Sequence, residues 1–203
     1  GGDLDLVRGL AGIDLLSGGA GAPQLRGAAG KDSLVGLGGD DLLFGADGAD
    51  SAIGGGGRDQ VFGEAGNDTL RGQEEDDLVE GGTGQDAVFG DAGEDRAQGG
   101  DGDDLVDGGG GNDLLLGNDG ADTVLGGAGE DQLRGEAGRD SLDGGFGHDT
   151  ASGGDEVDTV RGGAGDDVLR ADRGVGDLLL GEAGHDVIHV SGDGRDDRRY
   201  ATA

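Results

Sequence analysis

Cysteine, methionine and tryptophan are absent from the 203 residues, proline and tyrosine occur once each, and phenylalanine occurs four times. Without cysteine there is neither a disulfide framework nor a thiolate metal site. Basic residues are scarce, 14 Lys and Arg against 45 Asp and Glu, for a formal charge of −31. A surface this acidic repels nucleic acid and anionic membrane, and neither is expected as a partner. No apolar run approaches the roughly 18 residues that cross a bilayer, so membrane insertion is not expected. No basic-then-apolar leader opens the chain, and Gly1 in place of Met suggests a fragment or a trimmed product.

What is abundant is glycine, 54 residues of it. So much glycine and like charge, with so few large aliphatic residues, would by composition alone give a disordered chain. The order of the residues argues otherwise. A frame of nine can be laid from Gly9 to Arg170 without an insertion or deletion, giving 18 units. Position 1 is Gly in all 18, position 4 is Gly in 16 (Glu75 and Glu156 are the exceptions), and position 6 is Asp in 17 (Pro23 is the exception). Position 8 is Leu or Val in 15 units and Ala at 52, 97 and 151. Register held over so many units is a structural repeat and not a compositional accident. Residues 171–180 make a ten-residue unit with Asp177 in the carboxylate place, read as a bulge, and residues 181–189 return to nine. A partial unit before Gly9 supplies Asp5 and Val7, so the array is expected over 1–189, with 190–203 as a C-terminal tail.

Each position has its own physics. Positions 1 to 5, rich in Gly, are expected to be turns. Positions 7 to 9 are expected to be a short strand that sends position 8 to one face and positions 7 and 9 to the other. One aliphatic residue in nine cannot make a core alone. Two facing sheets can, if each unit is half a coil and two units complete a coil of 18 residues. The expected fold is all-β, a parallel solenoid of two facing sheets.

Units such as GGDGDDLVD at 99–107, GGGGNDLLL at 108–116, GGAGEDQLR at 126–134 and GGAGDDVLR at 162–170 resemble the calcium-binding nonapeptide repeats of the RTX family. The resemblance implies a parallel β-roll holding calcium between stacked turns, with no catalytic function. It implies that each site takes the carbonyls of positions 2 and 4 and the Asp of one turn, and the carbonyls of positions 1 and 3 and the Asp of the turn one coil later. Gly100, Gly102 and Asp104 would face Gly117, Asp119 and Asp122. Gly109, Gly111 and Asp113 would face Gly126, Ala128 and Asp131. Six hard oxygens suit Ca²⁺ better than a metal that prefers nitrogen or sulfur.

Two aspartate stacks follow. Asp14, Asp32, Asp50, Asp68, Asp86, Asp104, Asp122, Asp140 and Asp158 form eight consecutive pairs, and Asp41, Asp59, Asp77, Asp95, Asp113, Asp131, Asp149 and Asp167 form seven. About fifteen divalent ions would nearly cancel the charge of −31, and Asp177 and Asp186 would raise the number to about 17, while Pro23 removes the sites it borders. Calcium is therefore expected to drive folding.

Other motifs carry less. The Gly-rich strings recur without a following helix and are too acidic for phosphate, and the 12-residue EF-hand loop with its closing Glu is missing. His148, His185 and His189 read as surface histidines, and the first Asp of pairs such as Asp103–Asp104 and Asp166–Asp167 as a solvated loop residue. At position 9, Phe44 and Phe62 are expected to be ladder neighbours, as are Val35 and Ile53, either stiffening the sheet or forming a partner or self-association patch. The family resemblance implies a secreted protein exported by a type I system and acting as a rigid spacer or assembly element. A self-associating adhesin, surface-layer or filament protomer and a polysaccharide-binding appendage of an extracellular enzyme are the alternatives.

Overall fold

In the computed structural model, residues 6–173, 176–190 and 198–202 are described, the last group by backbone alone. Among the described residues the chain forms 22 strands, from Leu6–Arg8 to Arg198–Thr202. Alternate strands fall into two 11-stranded sheets, each parallel throughout. Leu105 pairs with Thr123 and Val106 with Val124 across neighbouring strands, so one coil is 18 residues and each nine-residue unit contributes one strand. This is the two-sheet roll that the repeat predicts.

Past the first two, Leu6–Arg8 and Leu15–Ser17, the strands are longer than three residues. Leu105–Gly110, which occupies positions 7 to 9 and then 1 to 3 of the next unit, is typical at six. Gly109 and Gly110 still register with Gly127 and Ala128 in the next coil. The turn proper shrinks to positions 4 to 6. The expectation of turn over positions 1 to 5 is corrected in this respect: the bend at position 2 is made without leaving the ladder. From Ala28 to Gly163 position 2 has positive φ whether or not it is glycine, as at Gly109 (96°), Asn118 (80°) and Glu136 (77°).

Between the sheets lies a single column of aliphatic side chains. Leu25, Leu34, Leu43, Val61, Leu70, Val79, Val88, Val106 and Leu115 are fully buried, and Ala52, Ala97 and Ala151 fill their places in the same column. Adjacent members come from opposite sheets, so each touches its ladder neighbours and the facing side. The interior is therefore one residue thick, and the stacked turns flank it. Beyond residue 189 the roll continues: Val190 closes strand Val187–Val190, and Arg198–Thr202 pairs with Leu178–Ala183. Asp5 and the segment 191–197 lie outside the described residues.

Candidate metal centre in the stacked turns

The aspartates at position 6 do not point to solvent. From Asp32 to Asp167 each is buried, with 4% or less of its surface exposed, and Asp177 is buried with them. Burying an ionised carboxylate is costly unless its oxygens are satisfied. Half of that demand is met by the fold itself. From Asp14 to Asp167 the backbone N–H of each position-6 aspartate donates to Oδ1 of the aspartate one coil later: Asp86 to Asp104 at 2.8 Å, Asp104 to Asp122 at 2.8 Å, Asp158 to Asp177 at 3.0 Å and Asp167 to Asp186 at 3.2 Å. The sequence reading missed this ladder. Its signal is the near-invariance of Asp at position 6, since a carboxylate on a longer arm would not keep the same reach to the coil below.

The other half of the demand is not met. Every Oδ2 from Asp32 to Asp167 is buried without a hydrogen-bond partner, and so is that of Asp186. Asp14, in the first coil, differs: its Oδ2 accepts from the N–H of Leu10 at 2.8 Å. Native proteins rarely leave such atoms unpaired, and a whole column of them is a layer whose demand a cation would satisfy.

Backbone oxygens converge on the same layer. A methyl group on Gly81 would lie 2.5 Å from Asp86 Oδ2 and 2.5 Å from the carbonyl oxygen of Gly99, the position-1 glycine of the next coil. That crowding, repeated along the roll, explains the glycine at position 1. The carbonyls of Gly82 and Gly84, at positions 2 and 4, lie 2.0 and 1.6 Å from where side chains on Gly100 and Gly102 would begin, and Asp119 at position 3 directs its carbonyl down onto the N–H of Gly102 at 2.7 Å. Carbonyls 2 and 4 thus face the coil above, and carbonyls 1 and 3 the coil below. The described residues contain no convergence of three His, Cys, Asp or Glu side chains, so a cation in this layer draws mainly on backbone oxygen. A hard, oxygen-seeking divalent ion fits such a donor set.

Without a counter-charge, the carboxylates resist ionisation. Burial first, then Asp59, Asp95 and Asp76, push the Asp77 carboxyl up to about 8, against the lowering effect of the Asp59 N–H. Burial and the carboxylates of Asp59 and Asp40 raise Asp41 to about 7, and burial with neighbouring carboxylates raises Asp104 and Asp140 to about 7.

The family's sequence profile, described as the RTX calcium-binding nonapeptide repeat in four copies, matches eight overlapping segments, 1–34, 24–52, 53–88, 80–115, 89–124, 116–151, 143–176 and 152–188. The chain belongs to the RTX calcium-binding repeat family. RTX nonapeptide repeats bind calcium, and this RTX chain is a calcium-binding repeat module. Among solved structures it is similar to a hyperactive, Ca²⁺-dependent, β-helical antifreeze protein from an Antarctic bacterium, at 21% identity and a TM-score of 0.53, over all of this chain and 81% of that one. At that identity the likeness speaks to the fold alone. No curated protein matched the chain.

The outer turn residues of the RTX roll are less idle than the sequence suggests. Asp103 Oδ1 accepts from the N–H of Ala121 at 2.9 Å, and Asn112 Oδ1 from Glu130 at 2.7 Å. His148 Nδ1 accepts from Asp166 at 2.9 Å, and Asp166 in turn accepts from His185 at 2.8 Å. These position-5 side chains cap the turn one coil later, which corrects their reading as merely solvated. Among the described residues no helix is long and apolar enough to cross a membrane.

Proposed function

We propose that this RTX roll is a calcium-folded module of a secreted protein, unfolded where calcium is scarce and rolled where it is millimolar, serving outside the cell as a rigid spacer or assembly element. The observation that supports this best is the column of buried Oδ2 atoms without partners. Gly100, Gly102 and Asp104 with Gly117, Asp119 and Asp122 would hold one calcium ion. Gly109, Gly111 and Asp113 with Gly126, Ala128 and Asp131 would hold another in the opposite stack. Repetition along both stacks gives about 15 to 17 ions, roughly matching the charge of −31. Bound calcium supplies counter-charge here and no chemistry on a substrate. The thin aliphatic column cannot overcome stacked carboxylate repulsion unaided, so binding free energy becomes folding free energy. Such a chain would stay extended in a low-calcium cytoplasm, a state suited to export, and set into a rod outside.

Far-UV circular dichroism in chelator and in millimolar calcium tests the proposal, together with equilibrium dialysis to count ions. A coil spectrum that becomes β-rich with more than ten calcium ions bound supports it. A spectrum indifferent to calcium overturns it.

A further inference from the structure

The outer faces of a regular roll are closed ladders, each outward side chain lying against those one coil above and below. On the outer face of the sheet containing Gln132–Ala137 and Thr150–Asp155, a cavity of about 750 Å³ breaks this pattern. Two sequence features make it. The position-9 ladder there runs Arg134, Ser152, Arg170, so a small residue stands between two long ones, and Gly154 leaves the floor low. Next, the ten-residue unit starts: strand Val168–Ala171 ends after four residues, and Asp172 and Arg173 line the cavity beyond it. Ser152 Oγ donates to the Asp172 carboxylate, and the Arg173 N–H donates to the Gly154 carbonyl at 3.0 Å. The cavity therefore sits where the repeat is broken.

Its charges are unusual for this chain. Acidic residues outnumber basic ones by 45 to 14, yet Arg170 and Arg173, both exposed and both lining the cavity, form no ion pair among the described residues. Arg134 meets Glu136 only at 3.8 Å, with both side chains about half exposed. Four carboxylates, those of Asp119, Glu136, Asp155 and Asp172 (the last held by Ser152), share the lining with these three arginines, Thr150 and Gln132. None of these side chains belongs to the calcium layer.

We infer that this groove binds an acidic oligosaccharide, its carboxylate on Arg170 and Arg173 and its hydroxyls on Glu136, Asp155, Thr150 and Gln132. The mixture of groups selects the ligand. A bare inorganic anion would meet the cavity's carboxylates with nothing to offer them. A neutral sugar would leave two arginines unanswered. Single-stranded nucleic acid would need aromatic platforms, and the lining has none. A sugar acid supplies an anion for paired guanidinium groups and hydroxyl donors for carboxylates. Arg134 and Arg170 stand two strand spacings apart, roughly 10 Å, and the volume lies in the range of ordinary ligand sites. The inference rests on the roll being folded, and so on the calcium reading above.

The test is calorimetric titration of the calcium-saturated full chain with four probes: a uronic-acid tetrasaccharide, a neutral glucose tetrasaccharide, a tetraglutamate peptide and sodium sulfate. Matching titrations into calcium buffer remove the heat of calcium binding to the probe. The expected result is binding of the uronate alone, unchanged in Arg58→Ala and weakened at least about tenfold in Arg170→Ala/Arg173→Ala. Circular dichroism on the same samples reports the roll. Equal binding by the double variant with its roll intact, or equal binding of any other probe, overturns the inference and leaves the calcium reading standing. A wild-type chain without β structure in calcium overturns both.

Discussion

Oδ1 of Asp41 has no hydrogen-bond donor because the residue one coil before it is Pro23. Everywhere else from Asp32 to Asp186 that atom is held by a backbone N–H of the previous coil, as Asp41 itself does for Asp59 at 2.7 Å. Proline has no N–H to give. Its ring also takes the place of a carboxylate: a methyl on Gly18 would meet Pro23 Cγ at 2.6 Å, where the corresponding atom beside Gly36 is Asp41 Oδ2 at 2.3 Å. Pro23 therefore interrupts both the hydrogen-bond ladder and the row of ligand oxygens.

Pro23→Asp should mend both. The new N–H satisfies a buried acceptor, which is worth about 1–3 kcal/mol, and the new carboxylate adds a donor to the layers on either side. In saturating calcium the variant should melt higher and bind up to about two more ions, counted by equilibrium dialysis. An unchanged ion count would mean that the first coils hold no calcium even with their ligands complete.

The pH response of the metal-free roll should be the reverse of ordinary acid denaturation. Folded carboxyls at about 8 for Asp77 and about 7 for Asp41, Asp104 and Asp140 lie above the ordinary 3.8, so the folded chain holds protons that the unfolded chain has released. Linkage then makes their contribution fully present below about pH 4 and progressively lost as the pH rises through 6 to 8. In chelator, circular dichroism should show more β structure at pH 4.5 than at pH 8. With calcium present the sign reverses, because protons compete with the ion for the same oxygens. A chelated chain more ordered at pH 8 would contradict both the burial and the spacing of these groups.

Most of the roll is legible in the sequence because each structural demand falls on a fixed position. The count of nine gives the half-coil, Val106 and Leu115 give the interior, and Asp104 and Asp113 give the buried charge. What was not legible is the part carried by backbone. Nothing in the letters says that Asp86 donates its N–H to Asp104, or that Gly109 and Gly110 stay in the ladder while bending, since neither depends on a side chain's chemistry. The groove beside Arg170 was hidden for a related reason. It arises from the loss of a regular neighbour at Ser152 and from an extra residue downstream, and a periodic reading registers both only as exceptions.

Separating charge from hydrogen bonding at one turn gives a sharper test of the layer. Asp104→Asn keeps the acceptor that holds the Asp86 N–H at 2.8 Å but removes the charge from the layers it borders. The variant should bind about two fewer calcium ions, and the calcium concentration at its folding midpoint should rise, since less binding free energy is available to drive folding. Leu115→Ala, by contrast, should cost about 2–5 kcal/mol by opening the aliphatic column while leaving the ion count at saturation unchanged. If Asp104→Asn kept the full ion count, the carboxylates would not be ligands.

The aromatic pair on the outer face offers a last test, of packing against association. Phe44 and Phe62 stack with ring centroids 5.2 Å apart and planes 14° from parallel. Arg26 lies over Phe44 at 5.6 Å while pairing with Glu64 at 3.3 Å. One ring face is thus covered by its neighbour and another by a guanidinium, and both rings are only half-exposed, a poor geometry for a sticky patch and a good one for a ladder. Phe44→Ser/Phe62→Ser in calcium should lower stability by about 1 kcal/mol from the lost ring pair, beyond the lost burial, with no change in solution mass by light scattering. A mass that falls on substitution would instead make these rings a contact between molecules, and the stacking a by-product of it.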